Sequence, residues 1–103
     1  MLASDVTIAA ADTRFVFAYA DLGSSPDGGF TWFLARTIGV RRALHFASRR
    51  LLLALTGHTL HEQLHAEREA FVQCALSDDF GEGTSAFHQR RRPQFTTRSN
   101  IDD

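Results

Sequence analysis

Residues 15–36, FVFAYADLGSSPDGGFTWFLAR, decide the fold expected for this chain of 103 residues. Large aromatic side chains alternate with smaller residues over the first five positions, which is the period of a β-strand. The loop 23–29, GSSPDGG, interrupts this pattern, and an apolar, aromatic-rich run with helical character follows it. A strand, a glycine-bearing loop and a helix N-terminus in this order direct backbone N–H groups and the carboxylate of Asp27 toward whatever lies above the loop.

Two short strands are predicted ahead of the helices. Residues 5–10, DVTIAA, form the first, with Val6 and Ile8 on one face. A turn follows, and residues 15–18 form the second strand at the start of the stretch quoted above. The expected fold therefore begins with β structure.

Three or four helices are predicted after the loop. The first covers residues 29–38 and stops at a glycine. The second covers residues 41–55, and the third covers residues 60–76 because Thr59 and Glu62 form a capping box. A weaker fourth helix follows, to about residue 91. The apolar faces expected for the second and third helices consist of Leu44, Ala47, Leu51 and Leu55, and of Leu60, Leu64, Phe71, Val72 and Ala75, respectively.

The length and composition indicate one domain with almost no net charge. The formal net charge is −1, and the chain holds one cysteine, Cys74. This charge balance argues against a general nucleic-acid binder or a membrane-surface binder. The sequence shows no signal-peptide pattern and no apolar run of membrane-spanning length. We expect a cytoplasmic protein with Cys74 buried in its core.

Two blocks of the chain resemble the crotonase superfamily, the enoyl-CoA hydratase/isomerase family. Residues 15–39 are similar to its pattern F-x-x-A-[YF]-x-x-[IL]-G-L-x-P-D-x-G-[GA]-x-[TSW]-[WF]-L-x-R-x-x-G, and the preceding SDVTIAAADTRF fits the segment before that pattern. Residues 60–95 resemble the C-terminal helices of the family. The matching residues there are Gln63, Leu64, Glu67, Asp79, Glu82, Gly83, Ala86, Phe87, Arg90, Arg91, Pro93 and Phe95.

The resemblance implies an α/β fold, as a fragment of the crotonase ββα spiral with two short strands followed by three to four helices. It divides the chain into three parts: residues 1–39, with the core strands, loop and helix; residues 40–95, which resemble the oligomerisation helices; and a polar tail, residues 96–103. It also implies a truncated and internally shortened copy, because the N-terminal half and a helix–strand–helix segment of the family have no match in this sequence.

The function implied by the resemblance is that of an enoyl-CoA hydratase or isomerase of fatty acid metabolism, nearer the isomerase type. Such a protein acts on acyl-CoA thioesters, needs no cofactor, and forms a homo-oligomer or associates with another crotonase chain. The alternative is a non-catalytic interaction fragment that pairs with a full-length crotonase.

Asp27 is the candidate catalytic residue, because the resemblance puts it at the acid/base position of the isomerase-type P-D-x-G-G motif. Its alternative role is to cap the helix that follows. The hydratase type uses two glutamates, of which the first would precede residue 1 and the second position holds Tyr19. The oxyanion donors of the family also belong to the unmatched half, and they often supply the largest catalytic effect. We therefore expect no catalysis by this chain alone.

Phe87 and Arg90 are the candidate substrate-binding residues. By resemblance they stand where crotonases place an aromatic and a basic residue near the CoA nucleotide, and such residues can pack against adenine and hold phosphate. The alternative is a core phenylalanine and a solvated arginine. The run of three arginines at 90–92 lacks the wider basic patch of a nucleic-acid site.

The sequence 61–65, HEQLH, is an H-E-x-x-H pattern. On a helix it puts two imidazoles on one face beside a possible general base, as in zinc metalloproteases, and His58 lies nearby. Three observations oppose this interpretation. Arg68 stands where the extended motif has glycine, Glu67 puts a charge where such helices are usually apolar, and Glu62 already serves the capping box. We predict no metal site and keep metal binding as a remote alternative.

Overall fold

A computed structural model describes residues 1–47 and 49–96, and this part of the chain folds into five helices. α1 contacts α2, α3 and α4, α3 also contacts α4, and α4 contacts α5. The hydrophobic core lies where the first three helices meet. The helices are α1 Phe30–Ile38, α2 Val40–Ala43, α3 Arg49–Ala54, α4 Leu60–Ala75 and α5 Asp78–His88, and the core residues are Phe30, Leu34, Ala35, Ala43, Leu52 and Leu55.

The prediction of two strands in an α/β fold is wrong. Residues 5–10 and 15–18 form no strand, and the described residues contain no strand at all. Val6 and Ile8 are 76% and 95% exposed, so the predicted apolar face covers nothing. A strand is stabilised by hydrogen bonds to a neighbouring strand. The alternating pattern is present, but the described part of the chain offers it no partner.

The first predicted helix is confirmed as α1. Gly39 ends it, and the Gly39 N–H donates to the carbonyl oxygen of Ala35. Gly39 has a φ of 83°, which a residue with a side chain adopts only under strain. Phe30 and Leu34 pack into the core.

The second predicted helix, residues 41–55, is interrupted in the structure. α2 has four residues, α3 has six, and a turn-like segment lies between them; Ser48 lies outside the described residues. Leu51 and Leu55 are buried as predicted, whereas Leu44 is exposed. At this break the Phe46 ring packs against the Phe17 ring, with 5.3 Å between their centroids. The tertiary contact outweighs the local helical pattern.

The third predicted helix is confirmed as α4, together with its capping box. The Glu62 N–H donates to Thr59 Oγ1, and the Thr59 N–H donates to Glu62 Oε2 at 2.7 Å. The hydrogen bond that the carboxyl of Glu62 accepts from the Thr59 N–H, and then that from the Thr59 hydroxyl, lower its pKa. The predicted apolar face is wrong, because its members Leu60, Leu64 and Val72 are exposed. The α4 side chains that are buried are Gln63 and Glu67.

The fourth predicted helix is confirmed as α5, although it ends at His88, before residue 91. Ser77 caps it by accepting a hydrogen bond from the Phe80 N–H at 3.2 Å. Of the predicted polar tail, residues 96–103, only Thr96 belongs to the described residues. No helix in the described part of the chain is long and apolar enough to cross a membrane.

Candidate functional site

A buried carboxylate joins the loop 23–29 to α4. Glu67 is 1% exposed, and it accepts hydrogen bonds from the backbone N–H of Gly29, at 2.6 Å, and from that of Thr31, at 2.8 Å. The Thr31 hydroxyl also donates to Glu67 Oε1. The N-terminus of a helix has unpaired N–H donors and a partial positive charge, both of which favour an anion. Glu67 therefore caps α1 from a different helix.

Gln63, one turn earlier on α4, extends this connection. Its side chain is fully buried, and its amide nitrogen donates to Thr31 Oγ1 at 2.7 Å and to the Leu51 carbonyl oxygen at 3.0 Å. Its amide oxygen lies 2.9 Å from His58 Nδ1. Buried polar groups are costly unless they are hydrogen-bonded, and both ends of this amide are. Together with Glu67, Gln63 fixes α1, α3 and α4 around the loop.

Asp27, the candidate catalytic residue, lies on this loop two residues before the cap position of α1. Its side chain is exposed, and its Oδ1 accepts a hydrogen bond from the Tyr19 hydroxyl at 3.5 Å. The alternative role of Asp27, capping α1, is performed by Glu67. The loop is thus held in place from α4 while the Asp27 carboxylate stays accessible.

Tyr19 is the second titratable group of the candidate site, beside Asp27. Burial of the phenol raises its pKa, and the negative charge of Asp27 raises it further. The hydroxyl therefore stays protonated at neutral pH and remains a donor to the carboxylate. A carboxylate that is oriented by one donor and otherwise accessible can accept a proton from a bound molecule.

An apolar cavity of about 450 Å³ adjoins Asp27 and Tyr19, both of which line it. The Phe30 ring packs edge-on against the rings of Phe17 and Tyr19, with centroid distances of 5.1 and 5.2 Å. Small-molecule sites are commonly cavities of this size with an apolar lining and few polar groups. The other large side chains of the lining are Met1, Leu2, Val16, Leu22 and Phe33. The arrangement can hold an apolar chain beside a carboxylate.

Three curated proteins are similar to this chain. It is 28% identical over 142 residues to 1,2-epoxyphenylacetyl-CoA isomerase of Escherichia coli (strain K12), a match that covers 92% of this chain and 54% of that protein. It is 28% identical over 144 residues to a probable enoyl-CoA hydratase of Rhodobacter capsulatus, covering 94% and 56%. It is 37% identical over 62 residues to trans-2-decenoyl-[acyl-carrier-protein] isomerase of Streptococcus mutans, covering 60% and 21%.

All three relatives are members of the enoyl-CoA hydratase/isomerase family. Over most of its length the chain is similar to members of the crotonase superfamily. It spans about half the length of the first two relatives. Both of those alignments are longer than the 103 residues of this chain, so they pass over residues of the relatives that have no counterpart in it. No protein-family model and no solved structure matches the chain.

The two predicted substrate-binding residues lie apart from Asp27. Phe87 is 67% exposed, so the alternative role of a core phenylalanine does not fit it. Arg90 follows α5 in the left-handed conformation, with a φ of 53°. Neither residue lines the cavity beside Asp27. Their contact with a CoA nucleotide, which the crotonase resemblance implies, stays a prediction.

Two residues of the H-E-x-x-H pattern, Glu62 and His65, have other partners. Glu62 is held by Thr59, and His65 Nδ1 lies 3.6 Å from Glu69 Oε1. Within residues 1–47 and 49–96, no three His, Cys, Asp or Glu side chains are grouped so that they could hold a metal ion. Metal binding by these histidines stays the remote alternative.

Two features of the site were not predicted from the sequence. Glu67 had a signal, because it puts a charge at a position that is usually apolar in H-E-x-x-H helices. Tyr19 had one too, since it stands at the position of a hydratase glutamate in the crotonase pattern. Neither signal identifies the group to which the Glu67 or Tyr19 side chain is hydrogen-bonded. Glu67 is 38 residues away from Gly29, and local patterns do not reach that far.

Proposed function

We propose that this chain is an enoyl-CoA hydratase/isomerase-family protein that acts on acyl-CoA thioesters, nearer the isomerase type, and that it is catalytically incomplete on its own. The observation that carries this proposal is the apolar cavity with Asp27 on its wall. An acyl chain is apolar, and moving its double bond requires a base beside the carbon that loses a proton. Two relatives carry the names of CoA-thioester enzymes, which supports this substrate class.

Asp27 is the proton-transferring group in this proposal. It takes a proton from one carbon of the bound enoyl chain and returns it to another, so the carboxylate is regenerated. Tyr19 donates to Oδ1, which orients the carboxylate with Oδ2 toward the substrate. Tyr19 is thus a positioning residue, and its raised pKa keeps it in the donor form.

Incompleteness is proposed because thioester chemistry needs N–H donors for the developing oxyanion. The family's own oxyanion donors belong to the half that has no match in this sequence, and the backbone N–H groups that this chain directs above the loop are those of the loop and the N-terminus of α1. The N–H groups of Gly29 and Thr31, however, both donate to Glu67. They are already paired with a carboxylate and are not available to an oxyanion. The lengths of the alignments with the relatives also support a shortened copy.

The test measures binding and turnover in one preparation. Octanoyl-CoA binding is followed by calorimetry, and conversion of a 3-enoyl-CoA to the conjugated 2-enoyl-CoA is followed by ultraviolet absorbance. We expect saturable binding without isomerisation above background, and we expect Asp27→Asn to retain binding. Asp21→Asn, an exposed acid outside the cavity, is the matched control. Lack of saturable binding would contradict the proposal; isomerisation lost only in Asp27→Asn would contradict incompleteness and support the assigned base.

A second candidate function, the non-catalytic interaction fragment, is favoured by the exposed N-terminal segment. Its apolar residues Val6, Ile8, Phe15 and Val16 are between 55% and 95% exposed. An unpaired segment with strand periodicity can add to the sheet edge of another chain, either a full-length crotonase or a second copy. Light scattering on an Ile8→Asp variant should show weaker association, whereas Thr7→Asp should associate like the wild type. Equal association of the two variants would count against this function.

A further inference from the structure

A second and larger space, a cleft of about 1360 Å³, lies between α3, α4 and residues 19–26. Tyr19 lines both this cleft and the apolar cavity beside Asp27. The two spaces therefore border the same side chain.

The cleft has a positively charged lining. Arg50 from α3 and Arg68 from α4 both line it, and neither forms an ion pair with any described residue. Glu69 is the single carboxylate among the lining residues, and it faces His65 at 3.6 Å. The lining thus holds two permanent positive charges, from different helices, against one carboxylate. The remaining imidazoles of the lining are His45 and His58.

Ser25 provides a second, independent observation at the same wall. The residue is 7% exposed and lines the cleft, and its hydroxyl has no hydrogen-bond partner among the described residues. Buried hydroxyl groups are normally paired, because leaving them unpaired is unfavourable. An anionic oxygen bound in the cleft would supply the missing acceptor.

We propose that this cleft binds a phosphate-bearing ligand, held by Arg50 and Arg68 and assisted by the Ser25 hydroxyl. Guanidinium groups form bidentate, charge-assisted hydrogen bonds with phosphate oxygens. The inference rests on the proposed function for the identity of the ligand: with its acyl end in the apolar cavity, a CoA thioester has its phosphates in the cleft. It assigns the phosphate contacts to Arg50 and Arg68, whereas Arg90 lines neither space.

Cys74 supplies a reporter for this cleft. It is the only cysteine of the chain, and instead of lying in the core as predicted from the sequence, it is half-buried and lines the cleft. A ligand in the cleft should therefore shield it from alkylation. Iodoacetamide modification is followed by mass spectrometry with and without inorganic pyrophosphate, at constant ionic strength, and calorimetry measures pyrophosphate affinity directly.

We expect pyrophosphate to slow Cys74 alkylation in a saturable manner. The double variant Arg50→Gln/Arg68→Gln should bind pyrophosphate about tenfold more weakly or worse, since each lost arginine removes a charge-assisted contact. The control is Arg41→Gln, an exposed arginine of α2 outside the cleft, which should bind like the wild type. No protection of Cys74 in the wild type, or equal affinity of the double variant and the control, overturns the inference.

Failure of the proposed function gives a different result. Cys74 protection by pyrophosphate without octanoyl-CoA binding would leave the anion site standing and remove the acyl-CoA assignment. If octanoyl-CoA binding were unaffected by Arg50→Gln/Arg68→Gln, the acyl-CoA substrate class would be supported. The proposal that the cleft holds the phosphates would be overturned.

Discussion

Glu67 is a charged residue that is almost completely buried. Its carboxylate replaces lost hydration with two backbone N–H groups and the Thr31 hydroxyl. Removing one member of such a buried set leaves the remaining groups unpaired, which costs more than the net contribution of an ordinary hydrogen bond. The position of the Asp27 loop therefore depends on a residue of α4.

Replacing Glu67 by alanine should lower the free energy of unfolding by about 3 kcal/mol or more, because the N–H groups of Gly29 and Thr31 lose their acceptor and a cavity forms. Urea denaturation followed by circular dichroism measures the change. Glu69→Ala, on an exposed part of the same helix, should stay within about 0.5 kcal/mol of the wild type. Comparable losses in both variants would refute the capping role of Glu67.

Glu82 of α5 and Arg91, which follows this helix, form a bidentate pair. Arg91 Nη2 lies 2.8 Å from Glu82 Oε2, and the Gln94 N–H donates to Glu82 Oε1 at 2.8 Å. The hydrogen bonds from Arg91, and then that from Gln94, lower the pKa of Glu82 from 4.5 to about 2. The same pair raises the pKa of Arg91.

A pH dependence of stability follows from the lowered pKa of Glu82. A carboxyl whose pKa is lower in the folded state stabilises the fold above its unfolded pKa, here near pH 4.5, and loses this contribution as the pH falls toward 2. Glu82→Gln should flatten the fall in thermal midpoint between these values. Arg91→Gln should flatten it similarly, since it removes the same contact. An unchanged slope in both variants would show that the pair does not stabilise the fold.

The residue-level site was predictable only in part. Asp27 could be selected from its place in the P-D-G-G loop, and the structure adds a cavity beside it. Its hydrogen bond from Tyr19 and the cap that holds its loop depend on how distant segments meet. The role of Asp27 and the contacts of Phe87 and Arg90 with substrate stay predictions.

At the scale of elements, α5 approaches the loop so closely that a side chain is excluded. A Cβ atom at Gly83 would lie 2.5 Å from the carbonyl carbon and oxygen of Leu22. Both are backbone atoms, so the clash is not relieved by rotating a side chain. Gly81, also within α5, has open space around it, with nothing within 4 Å of a Cβ.

These two glycines should respond to alanine in opposite directions. Gly83→Ala should destabilise the protein by about 1–3 kcal/mol, because overpacking forces the helix and loop apart. Gly81→Ala should stabilise it by about 0.5–1 kcal/mol through helix propensity. Thermal unfolding of the two variants provides the measurement. If Gly83→Ala were as stable as Gly81→Ala, the close approach of α5 to Leu22 would be disproved.

Elements with local signals were predicted correctly, and elements that need distant partners were not. α1 ends at a glycine, α4 begins with a capping box, and α5 begins with a serine cap, all of which are encoded within a few residues. The strand periodicity of residues 5–10 gives no sheet without a neighbouring strand. The apolar pattern of α4 does not predict its buried face for a related reason. The α4 side chains that contact α1 are polar, namely Gln63 and Glu67, and both hydrogen-bond to Thr31.

The whole molecule is more open than a compact domain of its size. Its Cα radius of gyration is 15.0 Å, against about 13 Å for a compact chain of about 100 residues. The N-terminal segment also leaves apolar side chains exposed, and exposed apolar patches usually mark interaction surfaces. A chain that spans about half of its relatives and leaves such residues uncovered fits the proposal of a catalytically incomplete crotonase.

The most direct test of the central claim, that an acyl-CoA thioester binds with its acyl chain beside Asp27, is an isotope-filtered nuclear Overhauser experiment on the labelled chain with octanoyl-CoA. Methylene protons of the acyl group should show contacts to the ring protons of Phe17, Phe30 and Phe33, which line the cavity. Methylene contacts to Phe87 instead, or no contacts at a saturating concentration of thioester, would contradict the claim.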